Sequence, residues 1–177
     1  MQVSKQSECS VLHKLRRENE RKGGCRLSRF LELKNTIKDV FAKDLIETID
    51  QIVGSLPLET DKDEGIWYIR YGSAIISIEI AGDVSEGGIL VIRSPLADLP
   101  KSNLVALYRF LLEKNFLDTL DAHFFIFDDA VWIGAVRPVA EVTRRDIELM
   151  LDTVATKADY YDEYIISEFG AVPLNED

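Results

Sequence analysis

The chain has two cysteines, two histidines, two methionines and five prolines in 177 residues. Cys9 and Cys25 both lie near the start. A bridge between them would close a short loop outside any core, so no disulfide framework holds the body. Two thiols sixteen residues apart, with His13 nearby, fall short of a zinc ligand set, and a metal site is not expected. No apolar run approaches membrane-spanning length and none follows Met1, so neither an integral membrane segment nor a secretory signal is expected; the default location is the cytoplasm. The phosphate-cradling and dinucleotide glycine patterns are missing, and so is the nucleophile elbow that would make Ser94 a catalytic serine.

What is present suits a single domain. Hydrophobic residues make up 46% of the chain and charged residues 29%, with a mean hydropathy of −0.04. A chain of this size buries roughly two-thirds of its unfolded surface without staples. There are 31 acidic and 21 basic residues, a net charge of −10. Phosphate backbones would be repelled, so nucleic acid is not an expected partner. The charge is uneven: residues 1–29 sum to +5 and the remainder to −15. This predicts a basic, flexible arm over 1–29 that could touch an anionic surface or fold back, a body over 30–170, and a tail over 171–177.

Along the body, Leu33, Ile37, Val40, Phe41, Leu45, Ile49, Ile52, Val53 and Leu56 recur at helical spacing, and Pro57 stops them. Glu59–Gly65 is polar and reads as a loop. Three short strands follow: Ile66–Tyr71, Ala74–Ile80 across a Gly72-Ser73 turn, and Ile89–Ser94 after Gly87-Gly88. Such close spacing demands antiparallel pairing. Residues 101–114 carry Leu104, Leu107, Tyr108, Leu111 and Leu112 at helical spacing, with Asn115 as a left-handed cap. A second hairpin runs from Ala122–Phe127 through Asp128-Asp129 to Ala130–Val136. Thr143 and Asp146 resemble a capping box opening a last helix with Ile147, Met150, Leu151, Val154, Ala158, Tyr161 and Ile165, which Gly170 and Pro173 end. The expected fold is α+β: a five-stranded antiparallel sheet with helices on one face, in the order α-β-β-β-α-β-β-α, forming a two-layer sandwich.

Other candidate sites reduce to structure. Asp128 and Asp129 splay at a hairpin tip and stay ionised, whereas acid–base work needs convergent carboxylates with shifted pKa values. His123 has no ligand-spaced companion. Asp61, Asp63 and Glu64 lack the calcium-loop spacing. Arg144 and Arg145 open a helix, where the macrodipole disfavours cations, which suggests an ion pair to the acidic body or an anionic partner. The enzymatic checklist cannot be filled, and no cofactor is expected. The aromatic residues say more: Trp67, Tyr68 and Tyr71 lie on the first of these strands, and Phe124, Phe125, Phe127 and Trp132 on the second hairpin. Bulk on both faces of that hairpin predicts burial on both sides, by a second chain or a client.

The phrases Ile89–Pro95 (ILVIRSP), FFIFDDAVWIGAVRP and Ala158-Asp159-Tyr160-Tyr161-Asp162 in this order of elements resemble the YbjN-like family, which shares the fold of type III secretion chaperones such as the Tir chaperone. The resemblance covers roughly residues 31–170 and is most similar to cyanobacterial and plastid members. It implies a non-catalytic homodimer that holds other polypeptides through hydrophobic surface. By that analogy the dimer contact is expected at Leu104, Tyr108, Leu111, Phe124, Ile126 and Trp132, and a client at Trp67, Tyr71, Ile76 and Ile78. The alternative is a regulatory adaptor in a larger, membrane-associated assembly that uses the basic arm. Loss of residues 1–29 would then abolish assembly while leaving the fold intact.

Overall fold

The computed structural model describes residues 40–82 and 88–174. The arm over 1–29, both cysteines, and the start of the first helix stripe (Leu33, Ile37) lie outside the described residues. Among the described residues there are three α-helices and six strands: α1 (Val40–Ser55), β1 (Thr60–Asp63), β2 (Ile66–Tyr71), β3 (Ala74–Ala81), β4 (Ile89–Asp98), α2 (Leu104–Leu117), β5 (His123–Phe127), β6 (Ala130–Pro138) and α3 (Arg144–Phe169), with a short 3-10 turn at Val139–Glu141 between β6 and α3. All strand pairs are antiparallel, in the spatial order β1-β2-β3-β4-β6-β5. The α+β class holds, with one more strand than expected.

The added strand is β1, in the segment read as a loop. Its residues, Thr-Asp-Lys-Asp, carry no apolar alternation. The backbone pairs Thr60 to Ile69 through Asp63 to Ile66, across a tight turn with positive φ at Glu64 and Gly65. Lys62 anchors it by reaching Asp50 of α1 (2.6 Å) with its ammonium 4.4 Å from the Trp67 ring centroid, while the Trp67 indole N–H also donates to Asp50 (2.7 Å). A tertiary contact therefore recruits a polar sequence into the sheet, and a short charged edge discourages further strand pairing.

Period-two alternation sends one set of side chains to the helices: Trp67 and Ile69, Ala74, Ile76 and Ile78, Leu90 and Ile92, Val131, Ile133 and Ala135. Against them pack Leu45, Ile49, Ile52 and Val53 of α1, Leu107 and Leu111 of α2, and the α3 row Ile147, Met150, Leu151, Val154, Ala158, Tyr161 and Ile165. That α3 row is the one its sequence spacing predicts. The capping box forms: the Asp146 N–H donates to the Thr143 hydroxyl (3.3 Å) and the Thr143 N–H to the Asp146 carboxylate (2.8 Å), and left-handed Gly170 closes the far end.

Asp128 and Asp129 form the two-residue turn between β5 and β6 with φ of 50° and 60°. Both residues sit in the left-handed region, where a Cβ is costly. Asp129→Gly should therefore stabilise the fold by roughly 0.5–1 kcal/mol, the relief of strain exceeding the entropy glycine adds to the unfolded chain. A thermal melt checks it; an unchanged or lower midpoint would mean that the carboxylate makes up for its strained backbone.

Candidate interaction surfaces

Two surfaces remain after the core is filled. The first is the end of the sheet formed by α2 and β5. Helix α2 carries apolar side chains on more than one side, yet it buries only Leu107 and Leu111 fully. Its outer side carries Val105, Tyr108, Leu112 and Phe116 at helical spacing, continued by Leu117 and Leu120. Phe116 is 90% exposed and Leu112 71%. The helix packs against β5, whose Ile126 is also exposed. The two sheet edges thus differ: β1 is charged, whereas β5 reads His-Phe-Phe-Ile-Phe.

Asn115 is not a helix cap as its sequence context suggests, since α2 runs on to Leu117. Its side-chain amide donates to the Phe124 carbonyl (3.1 Å) and accepts from the Phe124 N–H (2.6 Å). This occupies the outward-facing N–H and C=O of Phe124, so a new strand cannot pair with β5 at that residue.

The structure divides the six residues expected at a dimer contact. Tyr108 and Ile126 are exposed and Leu104 is half-buried at the start of α2. Leu111 and Phe124 are core residues; Phe124 meets the Tyr161 ring edge-on at 5.1 Å, so this chain's own α3 covers it. Trp132 is half-buried on the opposite sheet face. Val105, Leu112, Phe116, Leu117 and Leu120 complete the outer stripe. Leu112 was visible in the spacing, but its outward direction depends on which side of α2 meets the sheet.

The second surface is the sheet face away from the helices. Trp67, Ile76 and Ile78, expected to receive a client, are fully buried beneath the helices, and Tyr71 packs partly against that core. The outward set is their neighbours in sequence. Ile66, Tyr68, Ile75, Ser77, Glu79, Arg93, Pro95, Phe127 and Trp132 line a shallow cavity, with Asp98 and Asp128 among the lining residues at one end. The Trp132 ring stacks with Phe125 (6.3 Å, 20°) and meets Phe127 edge-on. Arg93 lies across it, its guanidinium carbon 5.5 Å from the ring centroid, and bonds Glu79 at 3.0 Å. Those two side chains are only 13% and 12% exposed, so this pair is held far more firmly than a surface ion pair. The buried Arg93 Nε has no hydrogen-bond partner. Gly134 makes room for this layer, because a Cβ there would stand 2.9 Å from the Ile92 carbonyl oxygen.

Among the described residues, no cluster of three histidine, cysteine, aspartate or glutamate side chains could hold a metal, and no helix is long and apolar enough to cross a membrane.

No family model matches this sequence, and no curated protein matches it. The folded chain does match solved structures. It is similar to a chain of the ExsC–ExsE complex at 17% identity and a TM-score of 0.51, covering 71% of this chain and 95% of that one. It is likewise similar to a chain of the HopA1–SchA chaperone–effector complex at 12% identity and a TM-score of 0.50, covering 73% and 98%. At these identities the likeness establishes the fold alone: this chain shares the α+β fold of a chain in each of these complexes.

Proposed function

We propose that the protein is a non-catalytic, chaperone-like module that dimerises with a second copy of itself and holds another polypeptide through apolar surface. The observation that carries this reading is the outer stripe of α2 beside the apolar edge strand. Six large apolar side chains on one short helix and its exit would be costly to leave in water, and exposed patches of this kind mark association sites. A two-fold contact of the stripe with itself buries it at once and needs no strand pairing, consistent with the Asn115 block on β5. The match to a chain of a chaperone–effector complex supports the protein-holding role. We assign the chain to the YbjN-like group, as a cyanobacterial or plastid cytoplasmic member, on the phrases in β4, the second hairpin and α3.

Light scattering of the purified full chain tests the dimer. A mass twice that of the 20.1 kDa chain at micromolar concentration is expected, and a monomer up to about 100 µM would overturn it. The adaptor reading, in which residues 1–29 make the contact, is favoured instead if deleting them releases co-purifying proteins while the circular dichroism spectrum of the body is unchanged.

A further inference from the structure

Strand β4 is unevenly covered. Its pairing with β3 runs from Ala81–Ile89 to Ser77–Arg93, while its pairing with β6 continues to Asp98. Pro95, which has no N–H to give, and an irregularity between Pro95 and Ala97 mark the change. The last residues of β4 are thus paired on one side only.

The chain's own C-terminal segment enters this slot. Val172 forms an antiparallel bridge with Asp98, with hydrogen bonds in both directions (2.9 and 3.0 Å). Two residues on, Leu174 lines the open-face cavity with Trp132, Phe127 and Pro95. Strand addition at one residue and an apolar side chain in the adjoining pocket are the two elements of extended-peptide recognition. The segment suits the slot in shape and is followed in the sequence by acidic residues. Glu79 already neutralises Arg93, so Asp98 and Asp128 leave the rim negative, and the residues after Leu174 are Asn175, Glu176 and Asp177.

We propose that the β4 slot and the open-face cavity form a binding site for an extended peptide that pairs with Asp98, places a leucine-sized side chain beside Trp132 and carries lysine or arginine two and three residues after it, and that residues 172–174 are a weak internal occupant which such a peptide displaces. This deepens the reading of the chain as a polypeptide-holding module by naming the chemistry of the segment held. It does not depend on the α2 surface.

Two synthetic heptapeptides test it: Ala-Val-Pro-Leu-Asn-Glu-Asp, which copies residues 171–177, and Ala-Val-Pro-Leu-Asn-Lys-Lys. Each is titrated at low salt into the full chain and into its Leu174→Asp variant, with tryptophan emission as the readout and Trp132→Phe assigning the signal. The variant should bind the lysine peptide on the order of tenfold more tightly than the acidic one, and more tightly than the wild-type chain does. High salt should erase the difference between peptides. Equal affinity for the two peptides, no saturable signal on the variant, or identical binding by variant and wild type would each overturn the proposal. Should Leu174→Asp fail to melt cooperatively, Leu174→Ala replaces it with the same expected order. A monomeric chain that binds the lysine peptide would remove the dimer and keep this site; a dimer that binds neither peptide would do the reverse.

Discussion

Replacing Leu112 and Phe116 together with aspartate should convert the proposed dimer to a monomer, halving its scattering mass and weakening self-association at least a hundredfold. Burying either side chain is worth about 1.5–3 kcal/mol, and a carboxylate in the same place adds a desolvation penalty. Both positions are largely exposed, so the variant should keep its circular dichroism spectrum and nearly its melting temperature. Leu149→Asp is the control: Leu149 is also an exposed leucine, but it lies on α3, away from the stripe, and its loss should leave the mass unchanged. A double variant that stays dimeric at wild-type affinity would place the contact elsewhere.

The largest effect on stability is expected at Tyr161. Its ring is fully buried, edge-on to Phe124 and 6.0 Å from Phe110, and its hydroxyl donates to Asp118, which also holds Lys157 at 2.9 Å. Tyr161→Ala should cost about 3–5 kcal/mol, a large share of the stability of an ordinary domain. Tyr161→Phe keeps the ring and loses only the bond to a partly exposed carboxylate, so about 1 kcal/mol is expected. Chemical denaturation of the two variants separates the packing and hydrogen-bond contributions.

The same pair sets a pH dependence. The Tyr161 bond, then Lys157, holds the Asp118 carboxyl below its ordinary value. Its contribution is therefore complete above the unfolded aspartate pKa, near 3.9, and is lost as pH falls toward the lower folded value. Burial, then the Asp118 bond, pushes the Tyr161 hydroxyl well above its ordinary value. That contribution is complete below about pH 10 and is lost as pH rises beyond it, because the unfolded tyrosine ionises first. Tyr161→Phe should flatten the alkaline loss of stability; an alkaline limb as steep as wild type would assign the loss to other groups.

Most of the architecture follows from local pattern. The apolar row of α3 and that of α1 from Leu45 onward, the Thr143–Asp146 capping box, the two-residue turns at Gly72-Ser73 and Asp128-Asp129, and the alternation in β2 and β3 all appear where those patterns place them. Each is settled within a few residues by backbone sterics or by the need to bury one face. Strand β1 was not legible, because its place comes from backbone pairing to β2 and from Lys62 meeting Asp50 and Trp67, partners outside the segment. Asn115 likewise depends on Phe124, nine residues away.

The interaction surfaces divide in the same way. The sequence alone determined that the second hairpin carries apolar bulk on both faces, and that the body is acidic. Periodicity separates the two faces of a strand without saying which of them the helices cover. Only the tertiary structure could decide that Trp67, Ile76 and Ile78 go inside while Tyr68, Ile75 and Ser77 face out, that Leu111 turns inward and Leu112 outward, and that Val172 and Leu174 come to lie at β4. Those choices depend on how layers meet across long stretches of chain, and a local sequence pattern carries no information about its partner.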